Sequence, residues 1–459
     1  MTGTPYRSNP PAGLSEVRPL PPGPRGRPLI GNLLEYTRDQ LGYLTRCAKE
    51  YGDVVRLRFF NVTTYLLNHP EHVEYVLARN HRNFVKGRGE RVSLGFLGNG
   101  LLTSEGSYWR RQRRLAQPAF HRERISAYGR VMVERAELMA STWRPGETRD
   151  VHDDMARLTL EIVAKTLFGS LPTAGFAKAS AALATIARRF AGRGGVLFQV
   201  PHMVPTPGNL RFRRAVRLLD GIVYAIIRRR RVSGERTEDL LSMLLDVRDE
   251  DTRKGMSDEQ LRDEVMTIFV AGHETTANAL SWTWYLLSRH PEAEARLLAE
   301  LGEVLGDRAP AVEDLSRLRY AAALVKESLR LYPPAWAFGR EAVKDCEVGG
   351  YRVPAGTQLV VSQWLTHRDE RFFEEAGEFR PDRWMDGSTE KLPRYAYFPF
   401  GGGPRLCIGR SFAEMEMVLL LATIARRFRL RLAQGQEVAP QPSITLRPKN
   451  GVRVVLERR

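Results

Sequence analysis

Apolar residues recur along this chain mainly at helical spacing, and strand-like alternation is confined to short stretches near its two ends. Residues 41–51 carry an amphipathic helical pattern that Gly52 ends. Residues 54–60 and 63–67 then alternate apolar and polar positions about Asn61, which predicts a β-hairpin. A short helix over about 71–77 is expected after His69-Pro70. Residues 85–107 combine glycine with scattered leucine and valine and read as a long loop. From Ser107 to about Leu331 the pattern is almost wholly helical, with breaks at Pro145-Gly146, Pro172, residues 192–195 and residues 201–207. Within it, residues 258–287 read as one long helix, apolar at Val265, Ile268, Phe269, Ala277, Leu280 and Trp284. Residues 412–428 read as another, and strand-like pieces return at 346–352, 358–362 and 452–457. No internal repeat or clean linker divides the chain. The pattern predicts one domain over residues 21–459, mainly α with a small β-rich lobe, preceded by a polar, Pro-rich, disordered segment over 1–20.

A length of 459 residues with 43% hydrophobic and 27% charged content allows a large globular core. Cys47, Cys346 and Cys407 are too few for a disulfide scaffold and point to a reducing compartment. Cys47 falls in the first amphipathic helix and Cys346 in a polar turn, and neither has a metal-ligand neighbour in sequence. The net charge is +17, from 70 basic and 53 acidic residues, which suits either an acidic partner or a merely solvated arginine surface. The clusters at 110–114 and 228–231 lack interleaved aromatics, so no nucleic-acid partner is expected. With no signal peptide and no run of about 18 apolar residues, a cytoplasmic bacterial protein without a membrane anchor is expected.

Candidate chemistry begins at Phe400-Gly401-Gly402-Gly403-Pro404-Arg405-Leu406-Cys407-Ile408-Gly409. A thiolate presented from such a loop is what a haem iron needs as a proximal ligand. Three glycines let the backbone fold tightly beneath a flat cofactor, where a Cβ would collide with it. Arg405 can turn toward a haem propionate. Gly409 and Ser411 open the helix that follows, so the sulfur lies at a helix N-terminus, where the dipole and free N–H groups favour a thiolate. Thiolate donation pushes electron density toward O–O cleavage. The bland alternative is a buried structural cysteine beside a Gly-rich turn.

The loop resembles the haem-binding loop of the cytochrome P450 family, with Phe400, Gly403, Arg405, Cys407 and Gly409 at matching positions. In the long helix, Ala271-Gly272-His273-Glu274-Thr275-Thr276 is similar to that family's oxygen-binding groove, which runs small residue, Gly, any residue, acid, Thr. Thr275 lies four residues after Ala271, so its hydroxyl can compete for that carbonyl and open the helix locally. Gly272 adds room for a diatomic ligand. The resemblance implies that Thr275 hydrogen-bonds the oxygen ligand and that Glu274 relays protons, while His273 is a satisfied helix residue. It also implies that Glu327, Arg330 and Arg383 form a buried network beneath the haem loop, with a role in folding and haem retention. Trp109 and Arg113, four apart on a helix, would face a propionate, as would Arg340.

The resemblance further implies a P450 fold, with haem b (iron protoporphyrin IX) between the long central helix and the Cys-loop with its C-terminal helix. It implies a monomeric oxidoreductase that inserts one atom of O2 into a hydrophobic small molecule. Electrons would come from a ferredoxin or flavodoxin-type carrier with an NAD(P)H reductase, since the chain has no space for such a domain. A peroxide-driven peroxygenase and a non-catalytic haem-thiolate sensor are the alternatives. Substrate contacts are expected from Val92, Leu94, Phe96, Leu97, Phe198, Phe269, Trp336, Phe338 and Ile444, whose apolar character suits a lipid-like or terpenoid molecule.

Overall fold

The computed structural model describes residues 20–169, 173–190, 204–234, 237, 239–248 and 253–459. The predicted breaks at Pro172, 192–195 and 201–203, Phe198, and nearly all of the expected disordered segment fall outside these residues.

The central element is the helix Asp258–Arg289, 32 residues and about 48 Å long. Ser257 caps it reciprocally. Its hydroxyl accepts from the Gln260 N–H at 3.2 Å, and the Gln260 side chain accepts from the Ser257 N–H at 2.9 Å. Asp258 and Glu259 in the first turn complement the helix dipole. Most of its length is buried on every side, as in a helix packed on all sides by others. The helix Val151–Phe168 runs against it, and the Thr159 hydroxyl bridges the two by donating to His273 O at 3.0 Å. Helices Arg319–Leu331 and Arg410–Ala425 complete its surroundings. His290 and Pro291 end it two residues beyond expectation.

The β-rich lobe is a five-stranded sheet of β1 (Val54–Phe59), β2 (Val62–Leu67), β3 (Phe84–Lys86), β4 (Phe338–Ala342) and β5 (Gln358–Val361), in the order β1-β2-β5-β4-β3. Only the β2–β5 pairing is parallel, Thr64 opposite Gln358. Residues 85–107 are therefore not a plain loop: they contain the end of β3, the helix Arg88–Ser93 and a 3-10 turn at Gly95–Leu97. β3 owes its form to pairing with β4, more than 250 residues away, which local periodicity cannot register. The piece 346–352 is a hairpin, Cys346–Val348 and Tyr351–Val353, turning at Gly349 and Gly350 with positive φ. The predicted helix 412–428 stops at Ala425, and Phe428–Leu432 becomes a strand beside Arg453–Arg458.

A buried carboxylate ties the helical body to the segment before the Cys-loop. Glu327 is fully buried and accepts from Arg330 Nε (2.9 Å) and Nη2 (2.7 Å), Arg380 N (2.9 Å), Arg383 Nε (3.1 Å) and Trp384 Nε1 (2.8 Å). Arg330 spends its remaining donors on the carbonyls of His367, Ala376 and Glu378 at 2.7–2.9 Å. Every N–H of that buried guanidinium therefore has an acceptor. His367 in turn accepts from Phe398 N at 2.9 Å, which carries the network to the start of the loop. Glu327→Ala should leave two buried guanidiniums without their anion and destabilise the fold by about 3–5 kcal/mol. Thermal unfolding and haem content of the purified variant measure this, and a fully loaded variant of normal stability would contradict it.

Candidate active site

The loop from Phe400 to Gly409 is tied to itself and to its surroundings. Cys407 N–H donates to Phe400 O at 3.0 Å, and Arg113, from the helix Gly106–Ala116, donates to Leu406 O at 2.9 Å. Two of the glycines also make room behind the loop. Gly403 has φ +63, and a Cβ there would strike the backbone of Leu77, while a Cβ on Gly402 would strike the ring of Tyr395. Tyr395 also accepts from Gly403 N at 3.0 Å. The missing side chains let the loop press against the protein behind it, leaving its front face to the cavity. Gly409 is under no such pressure, its nearest foreign atom being a Phe120 ring carbon at 3.8 Å.

Cys407 is exposed to a cavity of about 800 Å³ that the surrounding protein forms. Burial pushes its thiol up, against the Gly409 N–H and the Arg113 guanidinium, which favour the thiolate. Across the same cavity lie Ala271, Gly272, Thr275 and Thr276 of the long helix.

Cations gather at one edge. Arg405 Nη2 donates to Ser104 O at 3.0 Å and is ion-paired with Glu105, and its guanidinium lies 4.4 Å from the Trp109 ring. Its Nη1 is buried without a protein acceptor. Arg340, on β4, donates to Gly339 O at 2.8 Å, approaches Glu90 at 3.9 Å and lies over the Phe338 ring. Lys86, on β3, is a buried cavity residue that sequence reasoning missed because its segment read as loop. Burial draws its ammonium down to about 8, opposed by Glu90 and reinforced by Arg340 and Arg405. Arg113, which borders the cavity, also donates one N–H to the loop backbone at Leu406 O.

These residues fit haem. Among the described residues no group of three His, Cys, Asp or Glu side chains could hold a metal ion, so an ion beside Cys407 must bring its other ligands. A planar macrocycle with carboxylate arms would do so, one thiol below it and the unpartnered Arg405 Nη1 and buried Lys86 at its edge.

On the helix wall, Thr275 Oγ1 donates to Ala271 O at 2.7 Å and Thr276 Oγ1 to Gly272 O at 3.1 Å. The helix is assigned without a break from Asp258 to Arg289. The absent side chain of Gly272 points at Val163, 3.3 Å from where a Cβ would sit, so this glycine permits close helix packing as well as bordering the cavity. His273 is buried on Phe269 O at 3.0 Å, and burial lowers its pKa. Glu274 accepts from the Thr445 hydroxyl at 2.7 Å. Thr445 accepts from Asn278 at 3.2 Å, and Asn278 Oδ1 lies 3.1 Å from His152 Nε2. This chain ends 3.8 Å from the exposed Asp153. Thr445 and His152 come from distant segments and Asn278 from the same helix as Glu274, and none of them carried a motif.

Of the expected substrate contacts, Val92, Leu94, Phe96, Trp336, Phe338 and Ile444 border the cavity. Leu97 and Phe269 do not. Leu97 is buried in the core cluster it shares with Phe269, and Phe269 lies two residues, about 200° of helix turn, from the cavity-facing Thr267.

The model of the family described as "Cytochrome P450" matches residues 21–454. Cyclooctat-9-en-7-ol 5-monooxygenase of Streptomyces melanosporofaciens is 39% identical over 90% of each chain. Pentalenene oxygenase of Streptomyces avermitilis is 35% identical over 91% of this chain and 92% of its own. Among solved structures, the retinoic-acid-bound cyanobacterial CYP120A1 aligns with a TM-score of 0.86 at 26% identity, over 96% of this chain and 100% of that one.

Behind the helix wall, Glu416 is fully buried with neither carboxyl oxygen hydrogen-bonded among the described residues, and burial raises its carboxyl to about 8. An unfolded glutamate titrates near 4.5, so between those values the folded protein keeps a proton that the unfolded chain has lost. Stability should therefore fall as pH rises through this window, by a component on the order of a few kcal/mol that Glu416→Gln lacks. Urea unfolding of both proteins at about pH 5 and about pH 8 measures it, and equal pH dependence would contradict the assignment.

Proposed function

The chain belongs to the cytochrome P450 family, and from that premise we propose that it hydroxylates a cyclic terpenoid held in the cavity between Cys407 and the long helix. In this reading Cys407 ligates the iron of haem b, with Arg405, Arg340, Lys86 and Trp109 facing the propionates and Arg113 holding the loop through Leu406 O. Haem bound through a thiolate supplies O2 activation and O–O cleavage. Electrons come from a separate ferredoxin or flavodoxin-type carrier.

The residues of the chain supply shape and protons. Thr275 holds its hydroxyl at a fixed height by donating to Ala271 O, one helical turn away and facing the cavity. Glu274 is held by Thr445, and the sequence Thr445, Asn278, His152 leads from it toward Asp153 at the surface. Thr275 would deliver a proton at the cavity, and Glu274 would replenish it. The observation that carries the substrate class is the cavity wall itself. Aromatic and aliphatic side chains from Val92 to Phe96, from Trp336 and Phe338, and from Ile444 surround it. The two Streptomyces relatives, whose names specify a cyclic alkenol and pentalenene, and the retinoic-acid-bound structural neighbour support an isoprenoid skeleton over a straight chain.

A spin-state binding screen of cyclic terpenoids against fatty acids tests the substrate class, and tight binding of fatty acids alone would overturn it. With the best terpenoid and a ferredoxin carrier, Thr275→Ala should keep consuming NAD(P)H. Product per NAD(P)H should fall on the order of tenfold or more as released hydrogen peroxide rises. Thr275→Ser should keep most of the coupling. Full coupling in Thr275→Ala would remove the proton-delivery role.

A further inference from the structure

The hydrogen bonds that hold Glu274 end on an imidazole at the surface. Glu274 Oε1 accepts from the Thr445 hydroxyl at 2.7 Å, and Thr445 accepts from the Asn278 amide at 3.2 Å. The Asn278 oxygen lies 3.1 Å from His152 Nε2. Asn278 is fully buried one helical turn beyond Glu274, while His152 is partly exposed beside Asp153. This chain does not conduct protons along its length, because the amide would have to lose an N–H to take a proton on its oxygen.

What the chain transmits is polarity. One hydroxyl proton, an amide with distinct nitrogen and oxygen, and an imidazole can be arranged in only two consistent ways. In the first, an ionised Glu274 accepts from Thr445, Thr445 accepts from the amide N–H, and the amide oxygen accepts from a proton on His152 Nε2. In the second every bond is reversed. Glu274 must then carry a proton and donate it to Thr445, the Asn278 amide is turned over, and His152 Nε2 is bare. The donors at Thr445 and Asn278 are those of the first arrangement. A doubly protonated His152 admits that arrangement alone, whereas a neutral ring admits both.

We infer that His152 is a positioning residue for Glu274. Through Asn278 and Thr445 it fixes that carboxylate as an acceptor, one oxygen engaged and the other left to take up a proton for Thr275. The inference rests on the proton-delivery reading above. Other charges act at both ends of the chain. Arg447 and the buried His273 lie within electrostatic reach of Glu274, and the Arg447 cation favours the first arrangement. At the other end Asp153, itself near Arg157, lies 3.8 Å from His152 Nδ1 and favours a proton there.

NMR of ¹⁵N-histidine in the reduced, carbon-monoxide-bound holoenzyme reads the protonation of each ring nitrogen, with His152→Phe assigning the signal. At about pH 9, where an ordinary imidazole is neutral, the His152 proton should sit on Nε2. Thr445→Val keeps the side chain's shape, removes the hydroxyl and frees Asn278 to turn over. There about half or more of the neutral ring should become Nδ1–H, and Thr445→Ser should restore Nε2–H. Turnover is the second readout. In His152→Phe it should fall about threefold or more, with a larger solvent deuterium isotope effect, while His152→Gln, whose amide can donate in place of Nε2–H, should keep most of it. The unaltered protein's own signal decides the polarity even where a variant fails to fold. A bare Nε2 in the unaltered protein, or a tautomer indifferent to Thr445→Val, would overturn the inference. Unchanged turnover in His152→Phe, with Thr275→Ala uncoupled, would overturn it and leave the proton-delivery reading intact. Full coupling in Thr275→Ala would overturn both.

Discussion

The position of one sulfur, held rigidly opposite one helix, is the constraint on which the rest of this molecule turns. Haem held by Cys407 would occupy the cavity bordered by the loop, its lower wall, and by the long helix, its upper wall. The lower wall is fixed by backbone: Cys407 N on Phe400 O, Arg113 on Leu406 O, and Gly402 and Gly403 pressed against Tyr395 and Leu77. Tension from further back comes through His367, which links Phe398 N to Arg330 and so to the buried Glu327 carboxylate. The upper wall is a helix of 32 residues, too thoroughly packed to shift alone. A buried ion network beneath a cofactor loop thus contributes placement more than net stability, because its desolvation offsets much of its attraction.

The cavity between these walls is chemically asymmetric. Its edge near β3 and β4 concentrates Lys86, Arg340 and Arg405 with only Glu90 and Glu105 to balance them, which suits a group bearing carboxylates. Its floor presents a single sulfur. The rest of its lining is largely aromatic and aliphatic. In the proposed reading protons would reach the helix wall by way of Glu274, which accepts from Thr445 of the C-terminal turn, and through Thr445 and Asn278 it is linked to His152 of the helix Val151–Phe168. Four segments distant in sequence therefore meet around one small volume.

Which parts of this were legible beforehand follows from what a sequence encodes locally. The segment around Cys407 and the run from Ala271 to Thr276 declare themselves because several constrained residue types fall within ten positions. Glu327 and Arg330 share a helix face and could be joined to Arg383 through resemblance alone. Lys86 could not be found, since its strand exists only by pairing with β4 across the fold. Thr445, Asn278 and His152 are unremarkable singly and acquire meaning only by touching. Leu97 and Phe269 mislead for the converse reason: both stand in segments that border the cavity, but their side chains turn into the core. The glycines of the loop declare backbone freedom in the sequence, but the Leu77 backbone and the Tyr395 ring that two of them make room for are not visible there.

The central claim is that Cys407 supplies the axial ligand from this preformed loop, and carbon monoxide bound to the reduced holoenzyme reports on it most directly. The unaltered protein should show the strongly red-shifted absorption band of a thiolate ligand, and Cys407→His should lose that band while still binding haem through imidazole. A red-shifted band that persists unchanged in Cys407→His would place the ligand elsewhere and contradict the account.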